Sequence, residues 1–210
     1  MIQCIQDSGI CMAMVGKLAA LPETQLTRRL KKEGRLFENG YTIRDTDTQL
    51  DQMTSGLNFI TSRRRLDVLK DYIKVIKYIY DPERYYERVT HTSLSLNPAN
   101  KYRPGILRML KSIKALLKVC LKAGFNRTTG WFYWKTLITV IFKNPKAIEA
   151  AVNLSAMFIH FHKQSKFIVN LTNNEISSIE SCGEQKYNQL MFQKDRNSTT
   201  HKKSFQTVVN

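Results

Sequence analysis

The run "GICMAMVGKLAALPETQLTRRLKKEG", residues 9–34, changes its pattern halfway, and that change decides the fold. From Ile10 to Leu21 the residues are mostly apolar and are bounded by Gly9 and Pro22, the look of a strand buried on both faces in a parallel sheet. Beyond it the pattern turns helical: Pro22 starts a helix, Glu23 sits near its positive end, and Gly34 closes it. Residues 1–8 read as the last turns of another helix, ending near Ser8 and Gly9. Helix, strand and helix in that order are a slice of α/β structure, and a parallel strand needs neighbours that residues 1–36 do not supply.

Working outward, residues 37–54 are polar and rich in turn formers, and "GLNFI", residues 56–60, is the next short strand candidate. Leu66, Leu69, Tyr72 or Ile73, Ile76 and Tyr80 then recur at helical spacing. Asp81 caps a further helix whose first position is Pro82, and Thr90 to Asn100 read as a linker. A basic amphipathic helix follows, with Ile106, Leu110, Ile113, Leu117 and Cys120 on one stripe and Gly124 at its end. Two helices joined at Asn144-Pro145 come next, with Asn144 as the cap and Pro145 at the first position of the second. From about Lys163 the composition turns to Asn, Ser, Thr, Gln and Lys, which allows a helical extension through "FIVNL" and predicts a disordered tail over residues 180–210.

With 210 residues, 42% hydrophobic and 10% aromatic, the chain has enough apolar side chain to build a core. Its net charge of +16 and isoelectric point near 9.8 predict attraction to polyanions. No apolar run approaches the roughly 20 residues that span a bilayer. The first residues lack a basic leader and carry Gln3, Gln6 and Asp7, so no signal peptide is expected, and the expected location is the cytoplasm.

Cys4, Cys11, Cys120 and Cys182 form no CxxC or CxxxCxxC and have no paired Cys/His spacing, so they read as free thiols. His160 and His162 are two apart, which on a helix turns their side chains about 200° away from each other, and one ion cannot join them.

Taken together, "IQDSGICMAMVGKLAALPETQLTRRLKKEGRL", "GLNFI", "YIYDPERYYERV", "WFYWKTLITVIFKNP" and the His160-Phe161 pair resemble the C-terminal portion of cobalamin-binding-type radical S-adenosylmethionine proteins. The resemblance covers most of residues 1–165 in order. It implies a mainly α chain: a residual α/β barrel edge of one or two strands, a helical accessory domain, and a disordered C-terminal tail. The implied divisions are a barrel remnant over 1–62, connecting helices and linker over 63–98, the accessory domain over 99–166, and the polar tail over 167–210. The family's full-length proteins use a 4Fe-4S cluster, S-adenosylmethionine and cobalamin. This chain has no CxxxCxxC loop and no cobalamin domain, so it is expected to bind none of these alone and to be an inactive C-terminal fragment. Its expected partner is a cluster-bearing radical S-adenosylmethionine subunit or a missing N-terminal portion.

By the same resemblance Pro22, Glu23 and Thr24, after the first strand, and Asn58, in the second, lie on the cofactor side of the barrel. The plainer readings are a helix start for the first three and a satisfied strand-end amide for Asn58. No catalytic or metal-binding residue is assigned.

One other pattern stands apart. Between Glu87 and Glu149 there is no acidic residue, while lysines and arginines are frequent and Trp131, Phe132, Tyr133 and Trp134 are interleaved with them. Such a pattern suits a basic helical module on an anionic membrane surface or a protein partner, against the ordinary reading of a solvated lysine-rich face. Nucleic acid is the less favoured partner, because no reading helix, zinc module or RNP-type strand is present.

Overall fold

The computed structural model describes residues 1–37, 56–98, 114 and 116–192. The described residues are mainly helical, with α1 (Ile2–Asp7), α2 (Gln25–Lys32), α3 (Arg65–Ile79), α4 (Pro82–Ser95), α5 (Gly130–Lys143) and α6 (Ile148–Cys182). A π-helical turn, Cys120–Gly124, precedes α5, and a 3-10 turn, Pro145–Ala147, precedes α6. The chain divides into two compact units: Met1–Ala13 with Val75–Phe167, and Met14–Lys74 with Ile168–Asn210. Each draws on separated parts of the sequence.

The strand expectation is met only in outline. Neither Ile10–Leu21 nor residues 56–60 forms a strand among the described residues, where the one β-pairing is an isolated antiparallel bridge from Leu36 to Phe59. The segments are held by other means. Leu57 N donates to Leu18 O at 2.8 Å, and Tyr72 OH donates to Val15 O at 3.1 Å. Gly56 permits the approach, since a Cβ there would stand 2.2 Å from the Cβ of Lys17.

In this second unit Ala20, Leu30, Leu57, Phe59, Leu69, Ile176 and Ile179 make the apolar core. Beside it lies a buried ionic triad. The Arg65 guanidinium donates through Nη2 to Leu57 O (2.8 Å), through Nη1 to Phe59 O (3.2 Å) and through Nε to Glu175 Oε1 (3.2 Å). Lys17 Nζ reaches the other oxygen, Glu175 Oε2, at 3.1 Å. The side chains of Lys17 and Arg65 are 4% and 3% exposed, so the single carboxylate neutralises charge at two desolvated cations. Lys17 thus has a structural reason to interrupt an apolar run.

The first unit packs α1, α4, α5 and the first part of α6 around an aromatic cluster. The Phe158 ring lies 4.7 Å from Tyr85 and 5.2 Å from Tyr86, and Tyr86 stands edge-on to Tyr133 at 6.4 Å. Asp81 caps α4 as expected, its carboxylate accepting from Arg84 N at 3.2 Å. His162 is half-buried, with Nδ1 3.1 Å from Tyr80 O.

Several expected boundaries shift. Helix α4 runs on to Ser95 through the expected linker, because Ser93 is buried and Thr90 pairs with Thr136 at 2.9 Å, so the polar residues face a packed neighbour. Pro22 does not begin α2. Thr24 caps it, with its hydroxyl accepting from Thr27 N. Asn144 does not cap the following turn with its side chain; its amide donates to Ser93 O at 2.9 Å and to Leu96 O at 2.7 Å, closing the end of α4. The tail expected from residue 167 is helical through Cys182 and again over 184–192, because Ile168, Thr172, Ile176 and Ile179 form a buried stripe. The remaining tail, 193–210, the loop over 38–55, and residues 103–113 and 115 of the basic amphipathic helix expected from 103 to 125 lie outside the described residues.

Replacing the shared carboxylate tests the triad. Glu175→Ala is expected to lower the unfolding free energy by about 3–5 kcal/mol, because two buried cations lose their counter-charge. Urea denaturation of the full chain measures it, and a loss below about 0.5 kcal/mol would contradict the assignment.

A second test uses pH. Burial pushes the His162 imidazole below its ordinary value, reinforced by Lys166 and opposed by the hydrogen bond to Tyr80 and by Asp81. Its folded pKa is depressed, so the unfolded chain takes up the proton first as pH falls below about 6.5, and stability present above that value is lost through the window beneath it. His162→Asn should remove that component of the pH dependence, seen as a flatter urea midpoint between pH 7 and pH 5.

Candidate functional site

A cleft of about 380 Å³ opens where the extended segment meets α2. It is lined by Ala20, Pro22, Glu23, Thr27, Lys31, Leu36, Phe37 and Asn58, all within the second unit. Of the four residues singled out by sequence, Pro22, Glu23 and Asn58 therefore share one cleft, and Thr24 stands behind it as the α2 cap.

Asn58 is buried and fully engaged. Its Oδ1 accepts from Ala20 N at 2.8 Å and its Nδ2 donates to Ala20 O at 3.1 Å. The side-chain amide copies the two-bond pattern of a β-bridge across a place where the backbones do not pair. Asn58 is thus a clamp on the end of the extended segment, and it gives the cleft one fixed wall.

The threonines are clamps too. Thr24 Oγ1 donates to Leu21 O at 2.9 Å and lies 3.0 Å from Thr27 Oγ1, which also donates to Leu21 O. Leu21 O, the last carbonyl of the apolar run, is thereby saturated, and the turn through Pro22 and Glu23 is held against the start of α2.

Glu23 has φ +62, a left-handed conformation that costs a residue with a Cβ about 1–2 kcal/mol. Leu57, whose neighbour Asn58 forms the opposite wall, has φ +58 and is buried. Its conformation is imposed by three bonds at once: Leu57 N to Leu18 O, Arg65 Nη2 to Leu57 O, and the Asn58 amide to Ala20. Strain of this kind concentrates at sites where surrounding contacts over-determine the backbone.

Sequence reasoning missed Thr27, Lys31, Leu36 and Phe37. The first two stand four residues apart within α2, on one helical face that begins just after the turn. Leu36 and Phe37 enter through contacts distant in sequence: the bridge from Leu36 to Phe59, and Phe37 N donating to Asn58 O at 3.0 Å.

The cysteines do not make a cluster loop. Cys4 is exposed on α1, Cys11 is buried with its thiol 3.7 Å from Thr92 Oγ1, Cys120 lies at the π-helical turn and Cys182 at the end of α6. Three thiolates on one short segment are what an open-site iron-sulfur cluster needs, and these four lie on separate elements. Among the described residues no group of three or more His, Cys, Asp or Glu side chains is placed to hold a metal ion. None of the described helices is long and apolar enough to cross a membrane.

Residues 24–174 match a protein family described as a domain of unknown function, DUF4070. Over 156 residues, 74% of this chain, the sequence is 29% identical to a protein of Synechocystis sp. described as an uncharacterized methyltransferase. The chain spans 28% of that relative's length. No solved structure matches.

The strain at Glu23 gives a local prediction. Glu23→Gly should be more stable than Glu23→Ala by about 1 kcal/mol, because only glycine adopts positive φ without a Cβ penalty. Paired urea titrations read the difference, and an alanine variant as stable as the glycine variant would contradict the backbone assignment.

Proposed function

The chain belongs to the DUF4070 family, and from that premise we propose that it is the C-terminal part of a methyltransferase-like radical S-adenosylmethionine protein, serving to complete a β-containing fold supplied by other sequence. The observation that carries the reading is the state of the apolar run in the second unit. Met14 is 73% exposed and Leu18 61% exposed, with Gly16 exposed between them, while Val15, Lys17 and Ala19 turn partly inward. That is the period-two alternation of a strand, with an apolar outer row. Among the described residues no backbone amide from Met14 to Ala19 donates to a backbone carbonyl. An extended apolar edge with unpaired amides is a template for strand addition, and water-soluble proteins usually blunt or cover such edges.

The cleft at the end of this edge gives the reading its chemical side. Ligands of α/β folds bind beyond the carboxyl ends of parallel strands, and Pro22 and Glu23 form the turn at that end of the run. In the completed protein Pro22, Glu23 and Thr24 would border the cofactor side, with Asn58 as a positioning residue that holds the strand end in place. A 4Fe-4S cluster, S-adenosylmethionine and cobalamin belong to the complete protein in this reading. The cysteines here do not fit the cluster, and no chemical step is assigned to this chain alone.

The test is assembly. The full chain, co-expressed with the unmatched remainder of the Synechocystis relative, should co-purify with it. Met14→Asp with Leu18→Asp changes two exposed side chains, so the isolated chain should keep its stability within about 0.5 kcal/mol while co-purification is lost. Assembly that survives both carboxylates would reject the edge as the joining surface.

A further inference from the structure

Helix α5 carries two apolar faces, and its position in the first unit explains only one. Tyr133, Thr136, Leu137 and Val140 are buried against their neighbours. On the other side Trp131, Trp134, Ile138, Ile141 and Phe142 are all exposed, Trp131 at 75% and Phe142 at 83%. At 100° per residue these five fall within an arc of about 100°, a continuous stripe along the helix. Lys135 lies on the margin of the same arc, and Lys143 and Lys146 are exposed at its C-terminal end.

The segment before α5 extends the pattern. Leu117, Leu121 and Phe125 are exposed four residues apart, with Lys114, Lys118 and Lys122 exposed among them. The junction is fixed: Trp134 Nε1 donates to Gly124 O at 3.2 Å, and a Cβ on Gly124 would stand 2.8 Å from that indole nitrogen. Only glycine lets the ring lie there. Bulky apolar side chains and lysines therefore alternate over one region that contains no carboxylate, since no acidic residue occurs between Glu87 and Glu149.

We propose that this face of α5 and the preceding turn is a docking surface for an anionic lipid bilayer, with Trp131, Trp134 and Phe142 inserted at the head-group boundary and Lys118, Lys122, Lys135 and Lys143 against the phosphates. Charge complementarity selects the occupant. Buried protein interfaces favour Arg and aromatic residues and are depleted in Lys, because a compact, strongly hydrated ammonium is costly to desolvate. At a head-group surface lysines keep their water while their stems cover apolar area, and tryptophan is the residue most suited to the boundary. A lysine-rich, carboxylate-free rim around exposed tryptophan and phenylalanine fits lipid better than an acidic protein. The surface shares no residue with the Met14–Leu21 edge, and the proposal is independent of the function proposed above.

The chain's two tryptophans both lie on this stripe, so its own fluorescence reports contact. The full chain is mixed at low ionic strength with vesicles of phosphatidylcholine containing one third phosphatidylglycerol, and with vesicles of phosphatidylcholine alone. Sedimentation with the anionic vesicles only, with a blue shift of emission, is expected. Lys135→Gln with Lys143→Gln should weaken binding about twenty-five-fold, on the basis of about fivefold per lysine. Phe142→Ser should weaken it at least about tenfold with folding intact by circular dichroism, because the side chain is exposed. Absence of binding, or binding that Phe142→Ser leaves unchanged and polyglutamate abolishes, would overturn the proposal; the second result would mark a site for an acidic polypeptide.

Discussion

One carboxylate holds the second unit together. Glu175 meets Lys17 through one oxygen and Arg65 through the other, and both cations are almost entirely removed from water. Burying two cations is unfavourable unless geometry and counter-charge compensate, and here two further donors of Arg65 go to Leu57 O and Phe59 O. The consequence is positional. Leu57 is fixed on one side by Arg65 and on the other by Leu18, Asn58 is thereby placed to clamp Ala20, and the apolar run is held extended without belonging to a sheet.

That arrangement explains why the edge and the cleft occur together. An extended segment in a finished sheet pairs its amides along its length; this one is anchored by carbonyls and by a side-chain amide, leaving the amides of Met14 to Ala19 without backbone acceptors among the described residues. Its last carbonyl, on Leu21, is tied down by Thr24 and Thr27, and the chain then turns through Glu23 in a left-handed conformation. The strain, the clamps and the cleft are all consequences of ending an unpaired strand-like segment firmly.

Much of this was legible in the sequence, and the reasons differ by element. The helix starts and stops at Asp81-Pro82, Gly9 and Gly34 could be read because capping chemistry is local. The apolar run reads as strand-like from its composition, but composition cannot say whether its neighbours are present, and among the described residues the one β-bridge, Leu36 to Phe59, does not involve it. Helix α6 was cut short because Asn, Ser and Thr obscure a stripe of Ile168, Thr172, Ile176 and Ile179 that becomes visible only when their burial is known. Pro22, Glu23, Thr24 and Asn58 are singled out only by resemblance, and three of them line the cleft, while Asn58's role as a backbone clamp depends on its meeting Ala20, thirty-eight positions away. The ionic triad was not legible at all: Lys17, Arg65 and Glu175 share no motif, and only tertiary contact unites them.

The central claim is that the Met14–Leu21 segment is an edge completed by β-structure from other sequence. Hydrogen exchange at the backbone amides of Met14 to Ala19 addresses it most directly, measured in the chain alone and in its assembly with the remainder of the Synechocystis relative. The account predicts exchange close to the unprotected rate in the isolated chain and slowing by at least about a hundredfold in the assembly, as core strand amides show. Strong protection already present in the isolated chain, or none gained once the assembly has formed, would contradict it.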